Sequence, residues 1–150
     1  MSMRVKILGV SFDSVTMPEA LEKIKEIFDR ARAGEKGKQV VTPNPEMLLL
    51  AQKDRDFMHV LNSAYLSVPD GIGIVWAAKY IHKKKVLPER VSGVDLMEHI
   101  VEASLHFHGK IFLLGAGEGI AEKVKEKFEK KYPGVKIVGV YSGAPRDDEF

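Results

Sequence analysis

The apolar run Ile111-Phe112-Leu113-Leu114, entered from Lys110, passes straight into Gly115-Ala116-Gly117-Glu118-Gly119 and then into a charged stretch with helical spacing. That junction constrains the fold more than any other. A run without polar alternation reads as a strand covered on both faces, the condition of a parallel sheet flanked by helices. The glycines supply a tight turn from strand to helix. The same grammar recurs along the chain. Residues 5–10 read as a first strand, suited to a sheet edge, 38–42 as a second, 64–68 as a third and 135–140 as the last. Thr16 caps a helix with Pro18 in its first turn and Glu19 completing a capping box, and Leu21, Ile24, Phe28 and Ala31 form its stripe to a stop near Gly34. Asn44 caps another, which runs over residues 47–62 with a break near Asp54. Residues 71–81 and 93–108 are helical, and the last helix buries Ile120, Ala121, Val124 and Phe128 before Tyr132-Pro133-Gly134. Strands alternating with helices predict an α/β fold, a doubly wound, mostly parallel Rossmann-like sheet with helices on both faces.

Composition narrows the function classes. The 150 residues suit one core domain, and a net charge of +2 provides no field for nucleic acid, which is not expected as a partner. There is no cysteine, which excludes disulfides, thiolate zinc sites and cysteine nucleophiles. The five histidines lack H-E-x-x-H spacing, so no metal site is expected. No apolar run approaches membrane-spanning length, and the first residues lack the apolar stretch of a signal peptide. The chain stops at Phe150 soon after a strand, where an α/β unit ordinarily closes with a helix. A further C-terminal segment of the full protein is therefore expected.

In open α/β sheets ligands bind beyond the carboxyl ends of the strands. Val68-Pro69-Asp70-Gly71-Ile72-Gly73 lies at such an end. Asp70 has a plain reading as a turn residue capping the helix that follows. Its chemical reading is a general base that takes a proton from a sugar hydroxyl, with Gly71 and Gly73 letting a ligand approach the backbone. Thr42-Pro43-Asn44-Pro45-Glu46 ends another strand. There Asn44 serves as a helix cap, or Thr42 and Asn44 offer neutral hydrogen bonds on a proline-stiffened loop. Gly115, Gly117 and Gly119 stand where a phosphate-binding loop would, without the dinucleotide fingerprint and without the lysine of a P-loop. Arg90, ahead of Ser92-Gly93-Val94-Asp95, offers a planar fork for a phosphate. The run Lys83 to Lys85 reads first as a solvated loop, and an apolar helix stripe not needed by the core would serve a homo-oligomer.

Taken together, Thr42 to Glu46, Pro69 to Gly73, Arg90 to Leu96 and Phe112 to Gly115 with Gly119 resemble the WecG/TagA/CpsF family of bacterial glycosyltransferases. The resemblance implies an inverting enzyme without a metal or other cofactor, moving N-acetylmannosamine from UDP-N-acetylmannosamine to the 4-hydroxyl of a lipid-linked N-acetylglucosamine pyrophosphate in teichoic acid synthesis. It makes Asp70 the general base, puts Thr42 and Asn44 in the acceptor or sugar pocket, and brings the Gly115 loop, with Arg90, to the UDP portion. It also implies peripheral membrane contact through a C-terminal segment, at the cytoplasmic face. Lys79 and Glu118 depart from the arginine and proline common in relatives. Asp54-Arg55-Asp56 matches a D-x-D pattern inside a helical stretch and reads as surface charge. Two alternatives stand beside this reading: a non-catalytic nucleotide- or phosphate-binding module, and a relative using another UDP-sugar. A dinucleotide oxidoreductase lacks its fingerprint.

Overall fold

A computed structural model of the chain describes residues 3–83 and 86–143. The backbone divides into two compact units, Met1–Met97 and Glu98–Phe150.

In the first unit, β1 (Arg4–Ile7) and β2 (Val10–Asp13) form an antiparallel hairpin rather than the single strand expected over residues 5–10. Leu8 and Gly9 make its two-residue turn, with φ of 47° and 80°. Two successive positive φ values match the right-handed twist of the flanking strands. Leucine is a poor advertisement for such a turn, which is why the sequence pattern hides it. Helix α1 (Met17–Arg32) starts as expected: the Glu19 N–H donates to Thr16 Oγ1, and Glu19 Oε2 accepts the Thr16 N–H at 2.7 Å. Next come β3 (Val40–Val41), α2 (Pro45–Ala51) and α3 (Arg55–Ser63). The break between these helices falls at Asp54, whose Oδ1 accepts the Phe57 N–H and caps α3. Strand β4 (Leu66–Ser67) pairs parallel with β3. Helix α4 (Ile72–His82) follows, and α5 (Gly93–Ser104) contains the division between the units. The core gathers Val5, Ile7, Val10 and Phe12 of the hairpin with Leu48, Leu61, Ile74, Ala78 and Leu87.

One buried carboxylate ties this unit together. Asp13 is 2% exposed, and it accepts the Ser67 N–H at 2.9 Å and the Arg4 Nε–H at 3.3 Å. Arg4 also donates to the carbonyls of Ala64 and Tyr65 at 2.7 and 2.9 Å. A buried carboxylate is tolerable only when paired and hydrogen-bonded, and here both conditions are met by chain segments distant in sequence.

In the second unit, β5 (Lys110–Leu114) pairs parallel with β6 (Lys136–Tyr141), and α6 (Ile120–Lys131) packs against both. Val101, Phe128 and Ile137 form the core, with Ile111, Leu113, Val124 and Val140 around it. Phe112 and Leu114, by contrast, are 57% and 55% exposed. The expectation of a strand covered on both faces is thus corrected: within this unit the helices cover one face of β5, and its residues alternate in and out although all four are apolar. Lys131 and the Tyr132 hydroxyl both donate to Glu98 Oε1, joining α6 to α5. Helices with short parallel strand pairs make the chain α/β and Rossmann-like in class, as the alternation predicts. Among the described residues the strands lie in three two-stranded ladders, since β3 and β4 contribute two residues each.

Two stability measurements check this account. Asp13→Ala removes the acceptor for Arg4 and for the buried Ser67 N–H, and urea unfolding should show a loss of about 3 kcal/mol. The hydrogen bond from Lys131, then that from Tyr132, holds the Glu98 carboxyl below the usual carboxylate range, and the Lys131 ammonium is raised by Glu98 in turn. A lowered folded value contributes stability above the ordinary carboxylate pKa and loses it as pH falls through the lowered one. The melting-temperature gap between wild type and Glu98→Gln should therefore be present at neutral pH and close in acid.

Candidate functional site

Three chain segments meet at the carboxyl ends of β3 and β4. The Val68 N–H donates to Val41 O at 2.9 Å, the Asp70 N–H to Pro43 O at 3.1 Å, and the Val91 N–H to Pro69 O at 3.0 Å. These bonds draw the 42–46, 69–73 and 90–93 loops into one cluster. The sequence dictates the loops locally, because prolines at 43, 45 and 69 cannot continue a ladder as donors and so end both strands.

Asp70 is the cluster's central charge, with its side chain 24% exposed. Its Oδ1 accepts from Arg90 at 3.3 Å and its Oδ2 accepts the Gly93 N–H at 3.0 Å. The expected local cap is absent: α4 begins at Gly71 with no side-chain cap. Asp70 instead holds the first residue of α5, where an N-terminal amide favours a carboxylate. A carboxylate offers about four acceptor positions. The bonds from Arg90 and Gly93 take one on each oxygen, so each keeps a lone pair for a hydroxyl proton.

Gly93 has a role that its sequence context does not announce. A methyl group placed on it would lie 2.8 Å from Thr42 Oγ1 and 3.2 Å from Asp70 Oδ2. Its bare backbone therefore lets the Thr42 hydroxyl and the Asp70 carboxylate crowd the same point. The available signal was its position at a helix start directly after Arg90-Val91-Ser92. Asn44 does cap α2, with Oδ1 accepting the Met47 N–H at 2.9 Å. Gly71 and Gly73 were expected to clear space for a ligand. At Gly71 the structure gives that space to Pro45, whose Cδ lies 3.2 Å from where a side chain would start, whereas at Gly73 the same ring stands at an ordinary contact distance of 3.7 Å. Gly71 also has φ of 139°, a conformation side chains rarely adopt. Arg90, proposed for a phosphate, lies against Asp70 with half of its side chain exposed.

Gly115, Gly117 and Gly119 belong to the second unit. Around Gly115 and Gly119 there is open space, and Gly119, with φ of 72°, begins α6 without a side-chain cap. Among the described residues no group of three or more His, Asp or Glu has the arrangement of a metal site. No helix there is long and apolar enough to cross a membrane.

The sequence matches a family described as glycosyl transferase WecG/TagA/CpsF over residues 5–149. It is also 32% identical over 146 residues to the N-acetylglucosaminyldiphosphoundecaprenol N-acetyl-beta-D-mannosaminyltransferases of Staphylococcus aureus strains NCTC 8325 / PS 47, COL and MRSA252. Those alignments cover 97% of this chain and 56% of each relative, so the chain spans about half the length of the curated relatives it matches.

The crowding at Gly93 has a direct check. Gly93→Ala must push Thr42 away or tilt α5, at a cost of about 1–3 kcal/mol in chemical unfolding. Restoring room with Gly93→Ala/Thr42→Ala, which removes the Oγ1 that lies 2.8 Å from the added methyl, should recover part of that loss.

Proposed function

The chain belongs to the WecG/TagA/CpsF family of glycosyl transferases, and we propose that it carries the acceptor-activating core of an inverting glycosyltransferase. In this reading the donor is UDP-N-acetylmannosamine and the acceptor is the 4-hydroxyl of N-acetylglucosamine on a diphospholipid, as in wall teichoic acid linkage-unit synthesis. The names of the Staphylococcus aureus relatives support the lipid-linked acceptor and the mannosaminyl group. The observation that carries the reading is Asp70: a partly exposed carboxylate, oriented by donors on both oxygens and beside Thr42, at the ends of two parallel strands.

The chemistry follows from that geometry. The acceptor hydroxyl donates its proton to a free lone pair of Asp70 as its oxygen attacks C1 of the donor sugar. The bond from C1 to the phosphate oxygen breaks, and UDP leaves with the bonding electrons. A single displacement from the opposite face inverts the anomeric centre. Thr42 and the Asn44 amide nitrogen are assigned to hydroxyls of the acceptor or sugar. Arg90 and the Gly93 N–H act as positioning groups that hold the carboxylate's plane against rotation. The loop of Gly115, Gly117 and Gly119 is assigned to the UDP portion, whose leaving-group charge is the largest electrostatic demand of the step. In this reading the enzyme works as a peripheral protein at the cytoplasmic face of the membrane, and the lipid-linked acceptor named for the relatives supports action at a membrane surface.

The test is Asp70→Asn, assayed by UDP release from candidate UDP-sugars with a soluble diphosphate-linked N-acetylglucosamine acceptor. The amide keeps an acceptor for Gly93 but no longer takes a proton. Turnover should fall about 10²–10⁴-fold, with UDP affinity and melting temperature nearly unchanged. Undiminished turnover would remove Asp70 as the base. Release of no UDP by the wild-type chain or by the protein at its relatives' full length, with UDP still bound, would favour the binding module.

A further inference from the structure

Helix α4 is apolar on two opposite sides. Ile74 and Ala78 are buried in the core of the first unit. Away from them, Ile72, Trp76 and Tyr80 recur at every fourth position and stand 53%, 66% and 86% exposed. Lys79 and Lys83 join Trp76, Tyr80 and Ile81 around an open hollow of about 780 Å³. No carboxylate occurs on α4, and Lys84 and Lys85 continue the basic run in sequence. A contiguous apolar surface rimmed by one sign of charge marks an interaction site.

The chemistry selects one occupant. Indole and phenol rings settle at the headgroup level of a bilayer, with an apolar body below and a polar tip in water. Lysine stems run along apolar surface while their ammonium groups reach lipid phosphates. A second copy seated face to face across a two-fold axis would set Lys79 and Lys83 against their own equivalents, with no carboxylate on α4 to receive them. We propose that the outer face of α4 is a membrane-docking surface for anionic phospholipid. The Asp70 loop leads directly into the first turn of α4, so seating this face holds the loop beside the headgroup layer. That consequence rests on the proposed reading of a lipid-linked acceptor. The docking surface itself does not.

Trp76 is the only tryptophan, so its fluorescence reports this face alone. Phosphatidylcholine vesicles containing phosphatidylglycerol should blue-shift the emission, and brominated acyl chains should quench it, while vesicles of phosphatidylcholine alone do little. Lys79→Glu/Lys83→Glu should weaken partitioning at least about tenfold and leave the circular-dichroism melt unchanged. Absence of shift and quenching on anionic vesicles would overturn the proposal, as would an unaltered response from the double variant. A Trp76 shift that follows protein concentration without vesicles would assign the face to a second copy and overturn it too. Vesicle binding without UDP release in the assay with the soluble acceptor supports docking and removes the reaction. Release without vesicle binding does the reverse.

Discussion

Asp13 is the constraint on which the first unit depends. β3 and β4 supply two residues each, too little ladder to fix a strand's position by itself. The carboxylate of Asp13 holds the Ser67 N–H at the end of β4, and its partner Arg4 holds the carbonyls of Ala64 and Tyr65 where that strand begins. Ser67 stands three residues before Asp70. A buried charge on the hairpin thus sets the origin from which the second carboxylate is measured. The two acids divide the labour of one sequence: Asp13 is walled in and paired, whereas Asp70 is left partly open to solvent.

What was legible in the sequence was whatever local chemistry determines. The capping box at Thr16, the cap at Asn44 and the break at Asp54 are decided by side chains within three residues of the backbone groups they satisfy, so the pattern alone reveals them. The α/β class was legible for the same reason, from the alternation of short apolar runs with amphipathic helices. The hairpin turn at Leu8-Gly9 was hidden because leucine rarely stands at positive φ, and the side chains that donate to the turn carbonyls, Gln52 to Leu8 O and Asn62 to Gly9 O, are distant in sequence. The pattern of β5 misled because four consecutive apolar residues look alike, whether a strand is covered on one face or on two.

The site was half legible. Thr42 and Asp70 are at the carboxyl ends of adjacent parallel strands, and the rule for open α/β sheets finds them from sequence. Their convergence with Arg90 and Gly93 is a contact across some twenty residues, and no local propensity encodes it. The glycines show the difference most clearly. Read alone, Gly71 and Gly73 suggest room for a ligand. In the fold, Gly71 receives Pro45 and Gly93 receives Thr42 and Asp70. Their small size is spent on bringing three loops together.

That use of glycine bears on what kind of site this is. A loop that clears space for a ligand's phosphates leaves amide N–H groups pointing into that space. Here the Gly93 N–H points at Asp70 and the Asp70 N–H at Pro43 O, so these two backbone donors serve the carboxylate and its own loops. A pocket built to hold an anion would not center on a carboxylate whose nearest cation, Arg90, it already engages. A neutral hydroxyl meets no such conflict, since the free lone pairs of Asp70 accept its proton directly. The electrostatics of the cluster therefore suit a neutral hydroxyl better than a phosphate.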